Sequence, residues 1–466
     1  MLKQLNVFKV INKSLNICIR SRSSSGSYEN IFKGIPKTQY SELHSGLTVA
    51  TEERNCPHVC FGFYIDAGSR HENDLENGLT HFFQHIAFKG TENRSKTNLE
   101  KEISSTGAKF KCFATRDITV YCGQCLAKHF CQAVDILYDC VFNNAFSCDE
   151  LETQRTVIQE EMLKHDESTV NILYDYLHSS AFQGTQLGQT IMGTSNNLCK
   201  FQMPSVRNHV KKMFIPQRTV LAAVGGVTHD TMVNIGNKYF RKTKDPKCIF
   251  LGPCRYTGSE ISYRDDSMPM GHVAIAVEGP PFFSKDKIFM DLAASYIGGW
   301  DTSQPGGTNH GTYTALMGSA GRNCESYKTF QFVYNDTSLW GAQFISPRID
   351  LDDMLYIIQD TWMRLCDLIT DGELIRPKSE LKSKILMQNQ STEKACHDIG
   401  QHLLRTGNRP TIADRFREID NITAKQLKKV CDKYIYDRCP VVVGIGSIEC
   451  LYPYTNVRDA MRWLRV

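Results

Sequence analysis

No apolar run in this 466-residue chain approaches the roughly 20 residues that a membrane-spanning helix requires. The longest runs, such as residues 220–227, have only the length of a strand. We therefore expect any association with a membrane to be indirect, through partner proteins. The chain also lacks a strong net charge, since 54 basic and 50 acidic side chains leave a formal charge of +4.

Acidic residues are absent from the first 28 positions, where five basic side chains and a serine cluster occur instead. The apolar residues of this stretch could form one helical face: Leu5, Phe8, Val10, Ile11 and Leu15. This pattern predicts a mitochondrial transit peptide over residues 1–28, cleaved shortly after Arg22, with a disordered basic tail as the alternative. Loss of the five cations lowers the formal charge to about −1, which excludes a basic nucleic-acid-binding surface.

The chain is too long for one ordinary core and predicts at least two domains. Residues 210–226 match residues 430–446 at a constant offset of 220, and residues 58–63 similarly match residues 272–277. Chance similarity between buried apolar strands is the alternative explanation. A duplication would give two halves of similar fold.

The most informative motif is a pair of histidines four residues apart, His81 and His85. On a helix they lie one above the other, so that both rings can bind one metal ion. In the inverted zinc motif His-x-x-Glu-His, the glutamate takes a proton from the attacking water. Here that position is Gln84, whose amide cannot take up a proton near neutral pH. Taken alone, such a pair is more often a helix with two partly exposed histidines.

A zinc site needs a further ligand from another element, normally a carboxylate or a histidine. Glu160 and Glu161 are candidates, in a stretch that we predict to be helical from Cys148 through Leu163. Adjacent helical residues diverge by roughly 100°, so only one of the two glutamates can face the histidines.

At this point the chain resembles a known family. Residues 78–91 are similar to the zinc helix of the pitrilysin-type metallopeptidases, in the branch that holds the processing peptidase β subunit of mitochondria and core protein 1 of the cytochrome bc1 complex. The family's third ligand lies 76 positions after the second histidine, which is Glu161 here. The resemblance runs from about residue 40 to the C-terminus, and it implies the metal ligands His81, His85 and Glu161, with zinc as the metal.

The resemblance also implies an α+β fold of two similar domains, each a mainly antiparallel mixed sheet packed with helices. We predict an N-terminal domain over residues 29–245 with a degenerate zinc site, a linker over 246–258 where Lys, Asp, Pro and Gly cluster, and a C-terminal domain over 259–466. The second half has no counterpart of the zinc helix.

Three departures from the family pattern fall at the expected catalytic site. Gln84 replaces the general base, and Gln154 replaces a second carboxylate seven residues before Glu161. Lys111 and Cys112 occupy edge-strand positions that pair with substrate in the family. Glu160 is the alternative base, although it should point away from the face of Glu161. General acid–base catalysis contributes about 10² to 10⁴ in rate, so we expect catalytic activity to be impaired.

Two functions follow from the resemblance. In the first, the chain is a structural subunit of the ubiquinol–cytochrome c reductase (bc1) complex, on the matrix side of the inner mitochondrial membrane, paired with core protein 2. In the second, it is the zinc-dependent β subunit of the processing peptidase, which removes presequences together with an α-type subunit. Gln84, Gln154 and Lys111 favour the first. Retained binding of zinc or of presequence peptides without turnover is an intermediate outcome.

The 18 cysteines are scattered along the chain, and in the mitochondrial matrix they should mostly be reduced thiols that pack as small apolar residues. Cys122 and Cys125 have the spacing of a redox or zinc pair. They follow apolar residues of a predicted strand, however, in which residues three apart face opposite sides. We therefore expect no functional site at this pair.

Overall fold

A computed structural model of the chain describes residue 28 and residues 31–145, 147–240, 252, 254–303, 311–320 and 323–463. The predicted transit peptide up to residue 27 and most of the predicted linker lie outside the described residues. Two six-stranded sheets organise the described part of the chain. No helix in that part is both long and apolar enough to span a membrane.

The first half forms a sheet whose strands lie in the order β1-β2-β6-β3-β5-β4. Its strands are β1 (Gln39–Glu42), β2 (Thr48–Glu53), β3 (His58–Ile65), β4 (Lys109–Ala114), β5 (Thr119–Leu126) and β6 (Thr219–Gly225). Its helices are α1 (Leu79–Ile86), α2 (Lys96–Thr106), α3 (Phe130–Phe142), α4 (Cys148–Asp166), α5 (Thr169–Ala181), α6 (Ser195–Lys200), α7 (Met203–Met213) and α8 (His229–Tyr239).

The second half forms a sheet in the order β7-β12-β8-β11-β10-β9. Its strands are β7 (Glu260–Arg264), β8 (Met270–Gly279), β9 (Gly299–Asp301), β10 (Ser326–Val333), β11 (Ser338–Pro347) and β12 (Val441–Gly446). Its helices are α9 (Lys287–Ile297), α10 (Tyr313–Ala320), α11 (Leu351–Asp367), α12 (Ile375–Gln390), α13 (Thr392–Thr406), α14 (Ile412–Asn421), α15 (Ala424–Tyr434) and α16 (Tyr454–Trp463).

The strand orders show that the two halves repeat one fold. The series β2-β6-β3-β5-β4 recurs as β7-β12-β8-β11-β10, and each series has one parallel pair at its start followed by antiparallel pairs. The sequence matches fall on equivalent strands, β6 with β12 and β3 with β8. The predicted α+β fold of two similar halves with mixed, mainly antiparallel sheets is therefore confirmed.

The halves also exchange one helix each. Helix α5 of the first half packs against the second sheet, where Leu173 and Leu177 join a buried cluster with Val443. Helix α13 of the second half packs against the first sheet, and Gly400 lets it approach the ring of Tyr64, which a Cβ atom would meet at 2.4 Å. Each sheet is thus covered on one face by a helix from the other half.

An ion network at the junction of the halves holds this exchange in place. The guanidinium of buried Arg70 donates to Asp117 at 3.0 Å and to both oxygens of Asp336 at 2.8 Å. Asp117, itself fully buried, also accepts a hydrogen bond at 3.0 Å from the backbone N–H of Asn335. The two turns that connect β4 to β5 and β10 to β11 therefore meet at shared charges.

Candidate metal centre

Helix α1 carries the paired histidines, and a buried carboxylate accepts hydrogen bonds from the backbone at its start. Glu72 accepts hydrogen bonds from the backbone N–H groups of Gly78 at 2.8 Å and Thr80 at 2.6 Å. Gly78 has a φ of 102°, and a Cβ atom there would lie 2.6 Å from the carbonyl oxygen of Met192. Glycine is therefore required at this turn. Burial raises the pKa of Glu72 to about 7, against the lowering effect of the hydrogen bonds from Thr80.

Helices α1 and α4 bring the three predicted ligands together. The Nε2 atom of His85 lies 2.9 Å from Oε2 of Glu161, and Nε2 of His81 lies 3.7 Å from Oε1 of the same carboxylate. One ligand atom from each residue falls within a group 4.8 Å across. The three side chains thus converge, His81 and His85 through their spacing on one helix and Glu161 as the family resemblance implied.

The charges of this group suit a divalent metal ion. Interactions with the two imidazoles, that with His81 first, lower the pKa of Glu161, which keeps the carboxylate ionised. Burial, followed by the neighbouring His81, lowers the pKa of His85, which favours the neutral imidazole. Ionised carboxylate and neutral imidazole are the forms that bind zinc. The donor set therefore fits zinc, although Nδ1 of His81 has no hydrogen-bond partner among the described residues to orient the ring.

Gln84 lies on α1 between the two histidines, at the position of the missing base. Its Nε2 atom is buried and has no hydrogen-bond partner among the described residues. An amide at this position can orient a water molecule through its oxygen but cannot remove a proton from it. The side chain of Gln84 therefore offers no proton acceptor beside the three candidate ligands.

The other two candidate positions, Gln154 and Glu160, lie on α4. Gln154 is 5% exposed and lies two turns before Glu161, on the buried face of the helix that also carries Leu151 and Ile158. Glu160 is exposed, as expected from its position next to Glu161. Glu160 therefore faces away from the metal ligands.

Lys111 and Cys112 lie on β4, which is an edge strand of the first sheet. Their side chains point to opposite faces of that sheet. The Lys111 ammonium lies 2.8 Å from Glu393 of α13, on the face away from α1. The Cys112 sulfur lies 3.6 Å from the backbone oxygen of Gln84. The Lys111 side chain therefore points away from the metal ligands, and the role of Lys111 and Cys112 as substrate-pairing positions stays a prediction. Cys112 is the residue of the pair that reaches this site.

Glu72 and His209 are site residues that the sequence did not reveal. His209 Nε2 lies 3.1 Å from the hydroxyl of Thr80, and burial lowers its pKa to about 4. Both residues support the first turn of α1 from distant parts of the chain. An acidic residue shortly before the motif was the only signal available for Glu72, and none was available for His209.

Comparisons with known proteins point to one family. The family described as "Insulinase (Peptidase family M16)" matches residues 48–195, and "Peptidase M16 inactive domain" matches residues 200–381. The chain is 38% identical to cytochrome b-c1 complex subunit 1, mitochondrial, of Bos taurus, over 95% of this chain and 93% of that protein. It is 37% identical to the mitochondrial-processing peptidase subunit beta of Homo sapiens, over 96% of this chain and 92% of that protein.

Among solved structures, the fold is similar to a chain of "Complex III2 from Candida albicans, Inz-5 bound". The TM-score is 0.81 at 22% sequence identity, and the match covers 91% of this chain and 99% of that one. This similarity supports the two-domain fold.

Proposed function

The chain belongs to the M16 peptidase family, and on this basis we propose that it is a structural, catalytically impaired subunit of a mitochondrial cytochrome bc1 complex. The observation that carries the proposal is the amide of Gln84, whose nitrogen is buried, between the two ligand histidines. The ligands are retained, whereas the proton acceptor is lost. Curated relatives named as bc1 subunit 1 are about as similar to the chain as the named processing peptidases are.

Partners and location extend this proposal. We infer that the chain lies on the matrix side of the inner membrane and pairs with a core-2-type or α-type homologue. The described residues contain no spanning helix, so contact with the membrane would be made through other subunits. The acid-poor start of the sequence supports import into the mitochondrion.

His81, His85 and Glu161 would hold zinc, which supplies Lewis-acid activation of water at sites of this kind. The chain's own contribution is to fix the two imidazoles on one helix face and to keep the carboxylate ionised. Gln84 withholds the proton transfer that turnover requires. The metal would then stabilise the packing of α1 against α4.

Fractionation of native mitochondrial complexes tests this proposal. An epitope-tagged copy of the full chain, expressed in its own cells and extracted with mild detergent, should migrate with cytochromes b and c1 on a native gel. Recovery of the tagged chain only in a smaller species without either cytochrome would contradict the assignment.

A second candidate is the zinc-dependent β subunit of a processing peptidase, and the complete ligand triad favours it. In this case the chain should co-purify with an α-type subunit in the matrix fraction and should cleave presequence peptides. The same native gel separates the two assignments, because only the first requires the cytochromes.

A further inference from the structure

The three ligands His81, His85 and Glu161 would leave one coordination position of a zinc ion free. Zinc in proteins takes four ligands, and a structural site is closed by four protein side chains, whereas a catalytic site leaves one position for water. His81, His85 and Glu161 supply three ligands. A site without a general base has no evident use for the open position, so neighbouring side chains that could close it are of interest.

Cys112 is placed to do so. Strand β4 is the outermost strand of its sheet and packs beside α1, and the alternation of side chains turns Cys112 toward that helix, as it does Phe110. The sulfur lies 3.6 Å from the backbone oxygen of Gln84, the residue before the ligand His85. The thiol is half-buried, and burial, followed by the charge of Glu161, raises its pKa to about 11.

We propose that Cys112 is the fourth ligand of the zinc ion held by His81, His85 and Glu161, so that the centre is a closed structural site. This inference rests on the proposed function, in which the metal is retained without turnover. In the structure the sulfur contacts the Gln84 carbonyl and is not one of the three ligand atoms grouped within 4.8 Å. Ligation therefore requires rotation of the thiol about its Cα–Cβ bond into another staggered rotamer.

The chemistry of this step balances without an oxidant or reductant. The S–H bond breaks, its proton passes to solvent, and the sulfur electron pair forms the bond to Zn²⁺. The thiolate and the Glu161 carboxylate together neutralise the two positive charges of the ion, and the two imidazoles remain neutral. Lys111 does not compete, because its ammonium is paired with Glu393 on the other face of the strand.

Cobalt substitution tests the assignment directly. The full mature chain loaded with Co²⁺ should show visible d–d bands together with a thiolate-to-cobalt charge-transfer band in the near ultraviolet. Cys112→Ser should lose the charge-transfer band and keep d–d bands, and its zinc affinity should fall by at least the roughly 10- to 100-fold that loss of an outer-shell partner costs. X-ray absorption of the zinc form should show a sulfur neighbour at about 2.3 Å in the wild type and none in the variant.

The matched control is Cys122→Ser, since Cys122 lies opposite Lys111 on the neighbouring strand and faces α13 rather than α1. This variant should retain the wild-type spectrum, and circular dichroism should show that both variants are folded. Visible d–d bands without a charge-transfer band in the wild type would overturn the role of Cys112 while leaving the three-ligand site intact. If neither the wild type nor His81→Ala showed any cobalt bands, metal binding itself would be overturned. The native gel tests the assignment to the bc1 complex separately, so failure of this proposal and failure of the proposed function can be told apart.

Discussion

Nε2 of His85 lies 2.9 Å from Oε2 of Glu161, although 76 residues separate the two in the chain. The contact joins α1 to α4 and completes a metal-binding group whose third member is His81. This contact orients the imidazole and the carboxylate toward each other. A ligand set that is already assembled loses little conformational entropy when the ion binds.

The first prediction concerns metal content. The mature chain should bind one zinc ion, and Glu161→Gln should greatly weaken binding because an amide replaces the one anionic member of the triad. Equilibrium dialysis followed by metal analysis measures this. Glu160→Gln is the matched control, since the side chain of Glu160 is exposed on the same helix, and it should bind zinc as the wild type does. Equal loss in both variants would show that general surface charge, not ligation, had been measured.

A second prediction is that Gln84→Glu alone will not produce an active peptidase. The new carboxylate would supply a proton acceptor, but Gln154 would remain uncharged and Cys112 would remain beside the ligands. Cleavage of a fluorescent presequence peptide should therefore stay far below the turnover of about 1 s⁻¹ at the lower end of typical enzymes. Turnover at that rate, abolished by the additional change His81→Ala, would refute the prediction.

A third prediction addresses the junction of the halves. Arg70→Met removes the guanidinium that pairs with both Asp117 and Asp336. The buried carboxylate of Asp117 then loses its nearest cation. We expect a loss of about 3–5 kcal/mol in the free energy of unfolding, as for other broken buried pairs. Urea unfolding measures it. Arg264→Met removes an exposed arginine with two acidic neighbours and should leave the unfolding midpoint unchanged. Similar midpoints for the two variants would show that the junction is not held by this network.

A fourth prediction concerns pH. His178 is fully buried between the carbonyl oxygen of Tyr174 and the hydroxyl of Tyr334, both at 2.7 Å, and burial lowers its pKa well below the ordinary value. Below about pH 6.5 the unfolded chain binds a proton at this histidine that the native chain does not. Stability should therefore fall as the pH decreases from that value, by about 1.4 kcal/mol per pH unit for one proton.

His178→Asn tests this pH dependence because asparagine keeps an N–H group near Tyr174 but does not titrate. Urea unfolding between about pH 5 and pH 7 should give a shallower slope for the variant than for the wild type. Parallel slopes would mean that His178 is protonated in the native state.

The pairing of His81 with His85 and the start of α4 were predictable from the sequence because both depend on local spacing, whereas Glu161 was implied by the resemblance to the pitrilysin-type family. The predicted start of α4 at Cys148 and the opposite facing of Cys122 and Cys125 agree with the structure. The exchange of α5 and α13 was not predictable, since it depends on contacts between residues far apart in the chain. The same reason applies to Lys111, whose pairing with Glu393 spans 282 positions.

The cleavage rate of a fluorescent presequence peptide tests the central claim most directly. The mature chain, co-purified with an α-type partner in zinc-containing buffer, is compared with the same preparation carrying His81→Ala. The absence of a proton acceptor at Gln84 predicts equal, background rates for the two preparations. Cleavage by the wild type that disappears in His81→Ala would contradict this account and would identify the chain as a zinc-dependent processing peptidase.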